Sequence, residues 1–206
     1  MSEIKKTPLN RSQQKRLDII TAAENVFIEF GYKGASMDRI AEQANVSKRT
    51  VYNHFETKEA LFQHIIESLT SELLDVRSLP YQKSRSLEEQ LKEILSAEWD
   101  LLVSKRFIDM ARVVLSEYLS TPELSQGAMD NMSRCDEGLS PWLLAAKQDK
   151  QLKDIDVEFA SNYLAGTIYT FAQNQTLYRD LPPPSKKEKD YILAEVIGMF
   201  LARYGA

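Results

Sequence analysis

A chain of 206 residues suits one domain or two small ones and has enough material for a real core. Apolar residues at 43% and charged residues at 27% lie near the globular average, which excludes a disordered chain. The net charge of −4 is unevenly divided: residues 1–58 hold ten Lys and Arg against seven acids, a net +3, so the other 148 residues carry −7.

A basic head on an acidic body turns a molecule towards phosphate and keeps the body away from it. No long uncharged apolar run and no signal-peptide core occurs, so no membrane-spanning segment and a cytoplasmic protein are expected. The single cysteine, Cys135, excludes an internal disulfide framework and a cysteine zinc site, and beside Arg134 and Asp136 it reads as a bystander.

Residues 1–13 contain Lys5, Lys6, Arg11 and a proline without periodicity, and read as a flexible basic tail. Such a tail can also settle on phosphate or in a minor groove once a protein has docked. From about Gln14, Ile19, Ala23, Phe27 and Phe30 share one face of a helix. Gly31 stands where a left-handed residue ends a helix, and Tyr32 can fold back onto Phe27.

The stretch SMDRIAEQANVSKRTVYNHFETK, residues 36–58, is the most informative in the chain. Ser36 is a good N-cap, with Asp38 in the first turn to complement the helix dipole, and Met37, Ile40, Ala41 and Ala44 recur at helical spacing. Asn45 tolerates the left-handed backbone of a tight turn. Ser47 then caps a second short helix, and Val46 and Val51 stand at the two positions of a hydrophobic staple. With Val51 and Phe55 turned inward, Lys48, Arg49, Thr50, Tyr52 and Asn53 are left to point outward. Two short helices joined by a tight turn, the second with a cationic hydrogen-bonding face, form the layout of a helix-turn-helix whose second helix enters the DNA major groove; caps and spacing alone also fit an ordinary helical hairpin with a solvated outer face.

These residues resemble the DNA-binding region of the TetR family of bacterial transcriptional regulators. The resemblance is carried by Ala22, Ala23, Phe27, Gly31, Tyr32, Ser36, Ile40, Ala41, Ala44, Val46, Ser47, Thr50, Tyr52, Phe55, Lys58, Leu61 and Phe62, and most specifically by VSKRTVYNHFETKEALF. It covers roughly the first 65 residues, with Asn45 standing where the family usually has glycine. The resemblance implies an all-α fold: a three-helix DNA-binding domain over 14–58, and a larger helical ligand-binding and dimerisation domain over 59–206. The expected DNA contacts are Ser36, Lys48, Arg49, Thr50, Tyr52, Asn53, His54 and Lys58. Hydroxyls, a helix start and Lys58 suit phosphate, while Lys48 or Arg49 can read guanine O6 and N7.

Thr57 caps a further helix, which carries Leu61, Phe62, Ile65, Ile66 and Leu69 to about Leu74 and links the head mechanically to the larger domain. The stretch 78–86 is a loop by its proline and small polar residues. Residues 87–103 and 107–119 repeat helical apolar spacing, and Thr121-Pro122 caps another helix, interrupted by Gly127, Gly138 and Pro141. Residues 157–178 are apolar over more than one face, Pro182 to Pro184 stop them, and 191–204 are apolar almost all round. A terminal helix of that kind is expected to bury one side in its own core and the other against something else.

Family resemblance also implies self-association of these last two helices in a homodimer, with Ile168, Leu193, Ile197 and Phe200 as candidate contacts, and a cavity for a small-molecule effector. Trp99, Met110, Tyr118, Met129, Trp142 and Tyr169 are the candidate pocket residues, each also suited to ordinary core. No Gly-rich phosphate loop, HExxH, GxSxG or Cys–His pair occurs, and His54 and His64 are ten apart, so no enzyme, cofactor or metal is expected. The resulting expectation is a regulator released from operator DNA by a small molecule. An activator, a ligand-independent regulator and a helical protein-interaction module stand as alternatives.

Overall fold

The computed structural model describes residues 10–120 and 137–206. They divide into two compact units, Met1–Glu67 and Ser68–Ala206, which part within the helix Lys58–Arg77. The sequence suggested a boundary at the start of that same helix.

In the first unit, α1 spans Arg11–Gly34. Asn10 is its N-cap, in a reciprocal capping box with Gln13: each side chain accepts from the other's backbone N–H at 2.9 Å. The helix therefore begins three residues earlier than the apolar periodicity indicated, and Arg11 to Gln13 belong to it and not to a flexible tail. Gly31 breaks the helix with φ 69° and ψ 166°, a positive φ that favours a residue without Cβ. Tyr32 then returns to within 5.8 Å of the Phe27 ring, and Phe62 joins both rings at 5.2 and 4.6 Å. Phe30 is not core: it is exposed, with the Arg39 guanidinium 3.9 Å over its ring.

Helix α2 covers Met37–Gln43 and α3 covers Lys48–His54. Ser36 Oγ accepts from the Arg39 N–H at 3.2 Å and Ser47 Oγ from the Thr50 N–H at 3.1 Å, so each serine caps its helix. Asn45 sits at φ 52°, the left-handed turn residue between them. Ile40 and Val51 are fully enclosed, and each such aliphatic side chain contributes about 1.5–3 kcal/mol relative to exposure. Phe55, the C-cap of α3, is buried as well. Thr57 Oγ1 accepts from the Ala60 N–H and opens α4, Lys58–Arg77.

In the second unit, α5 (Leu87–Leu102), α6 (Lys105–Ser120), a 3-10 turn (Glu137–Leu139), α7 (Ser140–Gln148), α8 (Val157–Arg179) and α9 (Lys186–Tyr204) follow the end of α4. Pro141 lies in the first turn of α7, where its missing N–H costs nothing, so this helix starts where the glycine and proline signals pointed to a break. Ser185 and Glu188 form a capping box that starts α9 five residues before the apolar run. The core of this unit is built from Leu91, Ile94, Leu95 and Trp99 of α5, Met110 of α6, Trp142 of α7, Leu164 and Ile168 of α8, and Val196 and Phe200 of α9.

A buried ion pair joins Arg77, at the end of α4, to Glu98 of α5 at 2.5 Å. Trp142 Nε1 donates to Gln90 Oε1 at 3.3 Å, and the Gln90 amide donates to the carbonyls of Gln82 and Arg85, which fastens the loop before α5.

The terminal helices correct one expectation. Ile168, Leu193, Ile197 and Phe200 are all at most 2% exposed within a single protomer, so they are core and not a face open to a partner. A helix apolar on both sides gave no means of telling which side faces its own chain. The outward residues are instead Phe159, Tyr163, Phe171 and Tyr178 on α8, and Tyr191 and Met199 on α9. Among the described residues no helix is long and apolar enough to cross a membrane. The cap at Thr121, Gly127, Met129 and Cys135 lie outside the described residues.

Candidate nucleic-acid interface

Because Val51 and Phe55 fix α3 by burial, its other side is presented to solvent. Lys48, Arg49, Tyr52 and Asn53 are exposed, and Thr50 and His54 are half-buried. The cations of this surface are not equivalent. Lys48 Nζ is paired with Asp38 Oδ2 of α2 at 2.6 Å, with side chains 65% and 59% exposed. Among the described residues, nothing pairs with or hydrogen-bonds to the Arg49 guanidinium. Thr50 Oγ1 is already hydrogen-bonded to Ser47 Oγ at 2.8 Å.

Ser36 is exposed at the start of α2, where its hydroxyl still has a proton to give after accepting from Arg39 N–H. A solvent-open concavity of about 540 Å³ lies beside it, lined by Ser36, Asp38, Arg39, Ala41, Glu42, Val46 and Lys48. Two acids and two cations face it, so it is not a bare anion hole.

Lys58 differs from the sequence reading. Its ammonium is half-buried, donates to Tyr32 O at 2.8 Å and Ala35 O at 3.1 Å, and lies 4.4 Å over the Tyr32 ring. It fastens the α1–α2 connection to the start of α4, with a single proton left over for any other partner. Next to it, Tyr32 Oη donates to Glu59 at 2.9 Å. The Glu59 carboxyl is held below its ordinary range, chiefly by its backbone hydrogen bond and then by Tyr32.

Three residues of this head escaped the sequence reading as parts of the reading apparatus. Asp38 tethers Lys48, Arg39 stacks on Phe30, and Arg16 lies 4.6 Å over the Phe55 ring with Nη1 at 2.9 Å from His64 Nε2. The only signal for Arg39 was its charge in the first turn of α2. For Arg16 and His64, 48 residues apart, there was none.

In the second unit, Trp99, Met110 and Trp142 are enclosed, while Tyr118 and Tyr169 are half-buried. Burial pushes the Tyr118 hydroxyl up to about 12. It also raises that of Tyr169, with Tyr178 adding to the effect. Two further polar groups lie on α8. Gln173 is wholly buried and donates to Leu102 O at 2.8 Å, but among the described residues its Oε1 has no partner, and neither has Thr176 Oγ1 one turn on.

A capped helix pair with a tight left-handed turn and an exposed cationic second helix, followed in the chain by a larger helical unit, define a helix-turn-helix DNA-binding transcriptional regulator. Two family models match this chain: "Bacterial regulatory proteins, tetR family" over residues 19–65, and "AefR-like transcriptional repressor, C-terminal domain" over residues 89–206. The chain belongs to the TetR family of bacterial transcriptional regulators, a family that is generally non-enzymatic and typically binds operator DNA as dimers that respond to small molecules.

Among solved structures, a TetR family regulator from Pseudomonas syringae pv. tomato is 34% identical, with a TM-score of 0.77 and coverage of 93% of this chain and 97% of that one. A TetR-family regulator from Mesorhizobium loti is 26% identical, with a TM-score of 0.83 and coverage of 96% and 100%. Of characterised and uncharacterised relatives, the regulator YhgD of Bacillus subtilis is 37% identical over 79 residues, 38% of this chain and 41% of that protein. The activator FasR of Mycolicibacterium smegmatis is 25% identical over 136 residues, 61% of this chain and 62% of that protein. The match thus spans less than two thirds of the length of either.

Proposed function

We propose that this protein is a homodimeric repressor that holds operator DNA through α3 of each protomer and releases it when a small molecule binds within Ser68–Ala206. The observation that carries the reading is α3 itself: seated on Val51 and Phe55, it offers Arg49, Tyr52 and Asn53 to the groove. Ser36, Thr50 and His54 are assigned to phosphate, Lys48 to phosphate or base once Asp38 lets it go, and Arg49 to guanine. Lys58 is assigned chiefly to holding the head together, with its remaining proton available to phosphate. Operator DNA as the partner places the working protein in the cytoplasm.

Repression is favoured by the description of the family model that covers residues 89–206, which names a transcriptional repressor. The second reading, activation, is favoured by the likeness to FasR, named as an activator. Exposed aromatic and apolar side chains on α8 and α9 support self-association there, because covering such side chains removes apolar surface from water. The effector site is placed at the inward side of α8, where Gln173 Oε1 can accept from a ligand hydroxyl or amide and Thr176 Oγ1 can exchange hydrogen bonds with it. An unpaired buried acceptor costs about 1–3 kcal/mol, which a ligand donor would recover.

Footprinting on DNA flanking the protein's own gene, with and without a cell-metabolite extract, tests the reading. A protected palindrome lost on adding extract, together with raised transcription of the downstream gene on deletion of the regulator, is the expected result. Lowered transcription on deletion would replace repression by activation. A footprint that no extract disturbs would remove the effector.

A further inference from the structure

Arg16 of α1, Phe55 at the end of α3 and His64 of α4 meet in one cluster, and its chemistry constrains the protonation of His64. Arg16 Nη1 is 2.9 Å from His64 Nε2, its guanidinium lies 4.6 Å over the Phe55 ring, and the two rings of Phe55 and His64 are 5.5 Å apart. Arginine carries only donors and stays protonated, so the contact is a hydrogen bond only if Nε2 is a bare acceptor, with the ring proton on Nδ1. A second proton would turn Nε2 into a donor and set two cations against each other at that distance. Arg16 would then have to leave His64, and with it the face of Phe55.

Phe55 matters because it ends the reading helix: it is buried, and its N–H closes α3 onto Val51 O at 2.9 Å. We infer that Arg16 is a positioning residue for DNA reading, clamped on Phe55 by neutral His64, and that protonation of His64 releases the clamp and weakens operator binding. The inference rests on DNA binding by α3. The groups that face His64 are Arg16 from α1, the uncharged Phe55 ring from the end of α3, and Glu67 from its own helix. Burial first and the Arg16 charge second lower the tendency of His64 to take a proton, and Glu67 opposes them. The folded head therefore prefers neutral His64. The stabilisation it gives is intact above the ordinary histidine value of 6.5 and is lost as pH falls below it.

The test uses the full chain and a duplex selected from a random pool, with affinity read by fluorescence anisotropy between about pH 5 and 8. His64→Gln keeps an acceptor for Arg16 but cannot titrate. It is expected to bind like the unaltered protein at the upper end and to lose several-fold less affinity at the lower end. Arg16→Met is expected to bind weakly throughout and to lack the same acid-dependent loss. His64→Gln that loses affinity in acid as steeply as the unaltered protein would overturn the inference. An independent readout is the NMR titration of the His64 ring, which should move to higher pH in Arg16→Met. An unmoved titration in a variant that retains its helical circular dichroism would also overturn it, whatever the DNA result.

Discussion

Lys58 Nζ donates to two backbone carbonyls, Tyr32 O at 2.8 Å and Ala35 O at 3.1 Å, across the gap between the end of α1 and the start of α4. A cation in that position acts first on the head and only through it on DNA. Lys58→Ala would leave both carbonyls without this donor and the Tyr32 ring without its ammonium. Hydrogen bonds to charged groups contribute about 1.5–3 kcal/mol each, and the half-buried ammonium makes two at the lower end of that range, so a loss of about 3 kcal/mol in stability is expected, measured by denaturant unfolding. A variant of unchanged stability whose salt dependence falls by about one counterion would instead return Lys58 to the phosphate backbone.

Arg49 and Lys48 are adjacent in sequence but not in availability. Arg49→Ala is expected to cost about 1–3 kcal/mol on the operator and to relax preference at one position of each half-site, measured by binding to a panel of single-base variants. Lys48→Ala should cost less, because the exposed pair with Asp38 must be given up before Lys48 can serve DNA. Asp38→Asn removes that competitor. It should tighten non-specific binding and steepen the salt slope by up to about one counterion. Non-specific affinity lower than that of the unaltered protein would mean Asp38 supports the helix start more than it restrains Lys48.

How much of this could be read in the chain depended on the range of each interaction. Ser36, Asn45, Ser47, Val46 and Val51 act within one turn or one cap, so their types and spacing were enough to lay out the reading pair. The capping boxes of Asn10 with Gln13 and Ser185 with Glu188 are equally local, but they lie ahead of the apolar periodicity, which marks only the later part of each helix. The ties of Lys58 to Tyr32, 26 residues away, and of Arg16 to His64, 48 away, exist only once three helices have packed. A sequence offers no local trace of them. On α9 the difficulty was different: Leu193 and Met199 are both apolar, and only the packed helix separates the enclosed one from the 56% exposed one.

That separation makes the proposed self-association testable with paired substitutions. Leu193→Arg would bury a charge inside the protomer and should unfold or aggregate the second unit, whatever the oligomeric state. Met199→Glu and Phe171→Glu place charges on exposed positions of α9 and α8. A folded monomer is expected from them in sedimentation, with helical content retained. Stable dimers in both would move the interface away from these two helices.

The far end of α4, the helix that begins in the DNA-binding unit and ends in the other, is held by an ion pair. Arg77 and Glu98 are 2.5 Å apart with side chains 5% and 1% exposed, so each has given up its water. Removing one partner leaves a buried charge, and such losses run to about 3–5 kcal/mol. Glu98→Ala should show a loss of that size in the unfolding of the second unit. The pair also bears on switching. An effector can weaken DNA binding only through a difference in its affinity for the two forms, and operator DNA must then weaken effector binding by the same factor. If the Arg77 end of α4 carries that difference, Glu98→Gln, which keeps shape and one acceptor but loses the charge, should lower the factor at both sites equally. Titrating the effector found by footprinting into free and operator-bound protein measures it. Equal effector affinity in the two titrations of the unaltered protein would remove induction altogether. A factor unchanged by Glu98→Gln would leave induction standing and place its pivot elsewhere.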